Sequence, residues 1–576
     1  MDNYKIFNYL DDLTEAYKEP VSRVDGLLRD PKDIIRTIEF YTNNQYISGN
    51  TDSLEREKPF YNVCNYRVTT AKVATDLDVK DIKYEPDSLK FRVQAMIINK
   101  ELYKYLKDSN FSETLNDMGY TRPKYGGVLV KKSMVDGKLN IGVVDWTNLE
   151  FDPSDVVGGV LVETFYMQPS DLSKQEEWYN VDEVLKAHAK YCKNKPQKIE
   201  IKEVSGEFPL SFYPENEDNM KYEDNGKYAR MCFYIAVIGK KKYMLYYELE
   251  KENRFKYLAW EKVGLGLGRG VVEDGFESQV WQNDAMISMK NAMELAGKVI
   301  LSTDSNKISG NAITGVDNGH IFQIEQGRSL TSVNLAASSL PQFQNIIELW
   351  DAQYNKVSST FDANTGEAPT AGTPYSQTAL LNQVANSPFE YRREECGIFL
   401  NEILNDWIYP YLKKKILKEH NLVAEYDDEE LDLIDEAVAI YESNNYLKEQ
   451  ILNPEAKVPT RADQAMMIEG VKSDLKKLGK KREIKIPEGF LDVKGHLSAN
   501  ITGELKNKGA ILQSMDSIFK TVVSTFNPAT GQYAALQDPA LSRIFNQIID
   551  MSGMSPLPAT KQAVSQPDMS AIAPAQ

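Results

Sequence analysis

Gly264-Leu-Gly-Leu-Gly-Arg-Gly-Val-Val-Glu-Asp-Gly-Phe-Glu-Ser-Gln-Val-Trp-Gln-Asn283 runs a glycine-rich loop straight into a helix expected over 273–299. That helix carries Trp281, Asn283, Met286, Ile287, Met289, Met293 and Leu295. Methionines spaced three and four apart pack a core, or a face that must slide and repack. The glycines invite a phosphate-loop reading, which fails in detail. Counted from Gly264, the third glycine of G-x-G-x-x-G falls on Arg269; counted from Gly266, it falls on Val271. No G-x-x-x-x-G-K-[ST] occurs. The run is a hinge into a helix.

Upstream of it, residues 195–262 hold 13 Lys/Arg, 12 Asp/Glu and 13 aromatics. Tyr228–Ile238, a turn at Gly239-Lys240-Lys241-Lys242, Tyr243–Glu248 and Phe255–Trp260 form a β meander in this reading. The even charge mix favours a half-buried sheet over a single-strand nucleic-acid platform. Val128–Val135 and Leu139–Val144 flank Asp136-Gly137, a strong hairpin signal. Phe151-Asp-Pro-Ser-Asp155 closes that block as a turn. Asp30-Pro31 caps a helix with Ile34, Ile35, Ile38 and Tyr41 along one side. Residues 88–118 and 170–191 are helical, with Ser170 as the cap of the latter.

Downstream, a helix over 341–361 carries Ile346, Ile347, Trp350, Tyr354 and Val357. Thr365-Gly366-Glu367-Ala-Pro369-Thr370-Ala-Gly372-Thr373-Pro374 is a polar loop. A helix of about 40 residues follows from Ser376 to Lys415, and Pro388 should kink it. Eight acids in 425–436 read as a solvated face, and 472–485 carries seven basic residues. A short strand is expected in 490–497 and helices at 503–525 and 539–551. Four prolines and few large apolar side chains mark 555–576 as a disordered tail.

The chain has 576 residues and a net charge of −17, with 42% hydrophobic and 10% aromatic residues. Several packed cores are expected. The acidic balance argues against a protein that coats DNA or an anionic membrane. No apolar run approaches the roughly 20 residues of a membrane span. The start, Met1-Asp-Asn-Tyr-Lys, lacks the pattern of a leader peptide. Cys64, Cys192, Cys232 and Cys396 form no C-x-x-C, so a reducing compartment is expected. His188, His320, His420 and His496 read as ordinary residues without a His or Cys at metal-ligand spacing. Asp76-Leu-Asp78 and Asp362–Gly366 fail as metal sites. No catalytic, cofactor-binding or metal residues are assigned.

This order of elements resembles the portal, or head-to-tail connector, proteins of tailed bacteriophages, most closely those of crAss-like podoviruses. Asn65-Tyr-Arg-Val-Thr-Thr-Ala-Lys-Val73 looks like the strand entering the portal wing. Gly126-Gly-Val-Leu-Val-Lys-Lys132 with Phe151-Asp-Pro153 looks like the wing sheet, and Gly268–Asn283 like the start of the long stem helix. The loop at 365–374 stands where the family carries its tunnel loop.

The resemblance implies a mixed α+β, mainly helical portal-type fold, assembled as a ring of twelve. It divides the chain into a first wing part (1–170), a stem helix (171–192), a β-rich clip (193–272) containing Lys240, Lys241, Lys242 and Tyr243, and a second stem helix (273–299). A second wing part (300–417) holds the tunnel loop at about 362–376 and the long kinked helix. A helical crown (418–554) and the tail (555–576) follow. Implied partners are the major capsid protein, the terminase during packaging, neck or tail adaptors, and duplex DNA passing through, at a capsid vertex of the virion. No cofactor and no membrane are implied. Twelve copies at −17 each carry −204, a wall that repels DNA at close range, within about 8 Å at physiological salt. A neck adaptor is the alternative, and a metal-dependent nucleic-acid enzyme is a lesser one.

Overall fold

The computed structural model describes residues 3–296 apart from 20, 25–26, 53–54, 78, 80–81, 136, 176, 193–196 and 214–226. Beyond these it describes 300–303, 330–333, 340–360, 375–419, 421–422, 428–452, 459–477, 484–485, 487, 489–491, 494–499, 520, 526–527 and 532–533. The chain divides into two compact units, 1–79 with 107–399, and 80–106 with 400–576. The described elements are mixed, with helix in excess of strand.

In the first unit, helix α1 (Asn3–Ala16) precedes a small hairpin, β1 (Val21–Val24) and β2 (Leu27–Arg29). Helix α2 (Pro31–Thr42) starts as expected. The Asp30 carboxylate accepts from Lys32 N at 2.9 Å and Asp33 N at 3.3 Å, and Ile35, Ile38 and Tyr41 are buried. The expected strand at Asn65–Val73 is instead part of helix α3 (Val63–Ala74). Cys64, Val68 and Ala71, spaced four and three apart, are fully buried. Thr69 and Thr70 lose no hydrogen bonding, because their hydroxyls donate to Asn65 O and Tyr66 O. The 88–118 stretch is two helices: α4 (Arg92–Asp108), nearly all of it in the second unit, and α5 (Phe111–Tyr125) in the first, which begins after Asn110 at φ +52°.

The D-G hairpin forms as read: β4 (Gly127–Val135) pairs with β5 (Lys138–Val143), with Val135 opposite Lys138 and Gly137 at φ +72°. Asp152 and Asp155 close their turn by accepting from Ser154 N and from Gly158 N. The expectation for Phe255–Trp260 is corrected. β11 (Phe255–Ala259) leaves the meander and pairs with the other edge of β4, Ala259 opposite Gly127. A Cβ on Gly127 would stand 2.5 Å from the Tyr257 ring, so the strands meet this way only with glycine there.

The remaining strands form one antiparallel sheet ordered β10-β9-β8-β7-β6: β6 (Leu149–Glu150), β7 (Leu161–Met167), β8 (Ile199–Pro209), β9 (Tyr228–Ile238) and β10 (Lys241–Leu249). Alternation splits its residues cleanly. Val162, Val204, Phe233 and Met244 pack under Ile6 and Leu10 of α1. Ile199, Ile201, Ala236 and Leu245 pack under Leu172 and Val184. The latter belong to two helices, α6 (Pro169–Leu172, capped at Gln168 rather than Ser170) and α7 (Val181–Tyr191), not to one helix over 171–192. Between them the chain docks on β10, with Tyr179 N donating to Leu245 O at 2.7 Å and Asn180 Nδ2 to Met244 O at 2.9 Å. The helices of 171–192 therefore share a core with β7, β8, β9 and β10.

The far end of that second face is charged. Lys131 of β4 lies between Glu163 (2.7 Å) and Glu203. Arg254 reaches Glu203 and Glu248 at 3.6 Å and binds Glu250, which also pairs with Arg230 at 3.1 Å and accepts from Ser205. This polar seam ties the five-stranded sheet to the three-stranded one. Burial works against the Lys131 charge, but Glu203 and Glu163 outweigh it and hold its pKa up. For Glu203 burial wins and pushes the carboxyl up, despite Lys131. The lysine is thus the charge that keeps the two acids together.

In the second unit, β3 (Ile82–Pro86) pairs with β16 (Gly495–Ala499), the strand expected in 490–497 but shifted later. The long helix consists of α11 (Tyr375–Ile403), which belongs to the first unit through Phe399, then a π turn at Leu404–Ile408 and α12 (Tyr409–Glu419) in the second. Pro388 stands inside α11, yet the hydrogen-bond pattern changes at the π turn. There Asn405 exchanges hydrogen bonds of 2.9 Å with both Leu497 N and Leu497 O. Tyr84 stacks on Tyr409 at 5.4 Å. Helices α13 (Asp428–Leu452) and α14 (Arg461–Lys477) pack together, with Lys472 pairing Glu436 at 3.1 Å. Asp435, from the run expected to be solvated, is buried. Three short pairs complete the strands: β12 (Ile300–Thr303) with β13 (Leu330–Val333) in the first unit, and, in the second, β14 (Asn421–Leu422) with β15 (Ile484–Lys485) and β17 (Phe526–Asn527) with β18 (Gln532–Tyr533). The helices expected at 503–525 and 539–551 and the tail at 555–576 lie outside the described residues, apart from Lys520.

Replacing Lys131 with Met should destabilise the protein by about 3–5 kcal/mol, because buried Glu203 and half-buried Glu163 lose their shared cation. Urea denaturation measures it; a loss below about 1 kcal/mol would mean that water screens the seam.

Candidate assembly surface on a helical hairpin

The hinge 264–270 is clamped from both sides. The Arg29 guanidinium binds Glu273 in two hydrogen bonds of 3.1 and 2.7 Å, and donates to Leu267 O and Gly268 O. The Tyr257 hydroxyl accepts from Gly268 N at 2.8 Å. Gly126 and Gly268 lie back to back, and a Cβ on either would stand about 2.3 Å or less from the other's carbonyl oxygen. Close backbone packing therefore accounts for Gly268 and Gly270 without a phosphate.

A short helix, α8 (Val271–Asp274), leads into α9 (Phe276–Ala296). Gly275 separates them because the Tyr354 ring occupies the place of its side chain, and the Tyr354 hydroxyl donates to Val271 O at 2.8 Å. Gln279, fully buried, accepts from Val63 N (3.0 Å) and Cys64 N (3.2 Å), the first amides of α3, and donates to Tyr61 O. Asn283 Oδ1 accepts from Tyr61 N at 2.8 Å. Side chains of α9 thus satisfy the open amides at a helix start far away in sequence. Further along, Arg56 bridges Asp52 and Glu294, and Lys290 donates to Glu57 O.

α10 (Leu340–Ser358) returns along α9: Gly275 faces Tyr354, and Ser278 Oγ reaches Trp350 O. Beyond the helices, β12 and β13 pair antiparallel, Ile300 opposite Val333. The exposed surface of the pair carries several large apolar side chains. Trp281 stacks on Trp350 at 5.9 Å and 10° while remaining 49% exposed; Val280, Met293, Leu349 and Val357 are also exposed. Glu277, Asp284 and Glu348 share the exposed surface of these helices. Side chains this large and this open, grouped on one helix pair, make it the candidate contact surface.

Of the expected stem residues, Trp281 and Met293 reach this surface, Met286 and Met289 are half-buried, and Asn283 turns into the core. Lys240, Lys241, Lys242 and Tyr243 are at the β9–β10 turn, away from the hairpin. There Lys242 pairs with Asp11 of α1, and Tyr243 packs on the sheet face under α7. Thr365, Gly366, Glu367, Pro369, Thr370, Gly372, Thr373 and Pro374 lie outside the described residues. Gln279 and Arg29 carry no local signal in the sequence; only their distant partners give them a role. No group of three or more potential metal ligands occurs among the described residues, and no described helix is long and apolar enough to cross a membrane. No protein family model matches the chain, and no curated protein matches it.

Asp274 gives the hinge a pH response. Burial raises its pKa to about 6, against the pull of Arg269 at 3.0 Å, with Glu261 and Glu273 adding to the rise. A carboxyl raised on folding stabilises while protonated, and that share is lost as pH rises from about 4 to about 6. Relative to wild type, Asp274→Asn should therefore gain stability between pH 4 and pH 7, by about 2–3 kcal/mol. Denaturation at both values checks the sign; a constant difference refutes it. Gln279→Met should cost about 2–3 kcal/mol by stranding the α3 amides, read by the same assay.

Proposed function

We propose that this chain is a portal-type ring protein, a channel for duplex DNA at a capsid vertex that holds a packaging motor and then a tail. The observation that supports the reading is the hairpin of α9 and α10. It leaves a rigid wing-like body at a braced hinge, continues into the β12–β13 ribbon, and returns with several large apolar side chains exposed.

In this reading α9 and α10 are the two stem helices. The clip is then the stretch between them, 297–339, rather than 193–272, whose strands pack on α1 through one sheet face and on α6 and α7 through the other. The five-stranded sheet with its helices and the β11-β4-β5 sheet form the wing. The proposed tunnel loop at 365–374 follows the returning stem helix directly, ahead of α11. The C-terminal helices α13 and α14 fall in the crown. Trp281 and Leu349 meet the neighbouring subunit, and the net acidic charge keeps passing DNA from adhering.

The purified 65.3 kDa chain should assemble into rings of about 784 kDa, with a central hole in end-on electron micrographs. The pair Trp281→Glu and Leu349→Glu should leave monomers with an unchanged circular-dichroism spectrum. Wild-type chain that stays monomeric under capsid-assembly conditions refutes the ring, and rings formed by the double variant refute this face.

A further inference from the structure

His188 and Cys192 overturn one expectation. They are four residues apart, so the end of α7 places them on the same side of the helix. Cys192 Sγ is 3.3 Å from His188 Nε2 and 3.0 Å from Gln197 Oε1. Both are 8% exposed, whereas Gln197 and Tyr191 are exposed. The pair thus lies one layer beneath the surface.

We propose that Cys192 is a modification site, a nucleophilic thiol activated by His188 and reactive toward hydroperoxides and soft alkylating electrophiles. The thiol hydrogen can turn from Gln197 to His188 Nε2, which takes the proton. The imidazolium so formed stands at a helix C-terminus, whose carbonyls favour a cation, and it holds the thiolate. With a hydroperoxide, the sulfur attacks one oxygen; an S–O bond forms and the O–O bond breaks. The imidazolium returns its proton to the departing oxygen, giving water or an alcohol. Sulfur is oxidised to the sulfenic acid and the peroxide is reduced.

The other three thiols lack an imidazole partner among the described contacts. Cys64 and Cys232 are fully buried, and Cys396 is as exposed as Cys192 but faces the Arg122 guanidinium instead of an imidazole; burial pushes all three pKa values up. They serve as internal controls within the same molecule.

The test is iodoacetamide labelling of the native full-length chain, with each cysteine quantified by peptide mass from pH 5.5 to 9. Cys192 should react at least about tenfold faster than the others at pH 7. His188→Gln should slow it by about tenfold at that pH. After hydrogen peroxide, a sulfenic-acid trap should mark Cys192 first. Gln197→Ala, which keeps the imidazole, should retain the fast reaction. Equal labelling of all four thiols overturns the proposal. So does an unchanged or faster reaction in His188→Gln, which would show a thiol exposed by fraying rather than activated by its neighbour.

Discussion

The buried amide of Gln279 is the contact on which the hairpin depends. A helix start leaves amides without partners, and water cannot reach those of α3 inside this core. Local caps do part of the work: Asn62 accepts from Asn65 N at 2.9 Å. Gln279 supplies the rest from α9, so the first turns of α9 and α3 are tied together. Two glycines allow this geometry. Gly275 admits the Tyr354 ring, and Gly268 lets the hinge pass against Gly126. Because the base is fixed by these groups, the outer side of α9 is free to carry Trp281 and Met293 without serving the fold.

The same economy does not hold in the polar seam. Seven charged groups meet there from β4, the five-stranded sheet and the loop before β11. Apolar residues of matching shape would hold the sheets together more strongly. Ion pairs instead impose a register: Lys131 can reach Glu163 and Glu203 together only when β4 crosses the sheet at one position. The apolar end of the same face, under Leu172 and Val184, supplies the burial, while the charged end selects the alignment.

What could be read from the sequence was local. The Asp30 cap, the D-G hairpin, the 151–155 turn and the helix through Trp281 are each encoded within a few residues. The readings that failed needed distant partners. Residues 65–73 have enough β-branched side chains to look like a strand, and the 64–68–71 spacing prevails because α3 has a core to face. Phe255–Ala259 looks the same in either sheet; the choice falls to Gly127 on β4, more than a hundred residues away. The surface on α9 was half legible. Trp281 stood out, but its partner Trp350 and the inward turn of Asn283 follow only from the return of α10.

The pairing around β4 has a consequence for how this chain can be built. Val130 lies opposite Val143 on one side, and its neighbour Lys131 lies opposite Phe255 on the other. The chain therefore departs after residue 143 and comes back at 255 only about 10 Å away, two strand spacings across the sheet. All of the five-stranded sheet lies within that excursion. In topological terms it is an inserted cassette with adjoining ends. Closing such a loop costs entropy that rises only with the logarithm of its length. Loop entropy therefore sets little limit on how long the cassette can be; what holds it in place is packing, with Trp146 and Phe151 in the core shared with Leu129 and with α1 on its sheet.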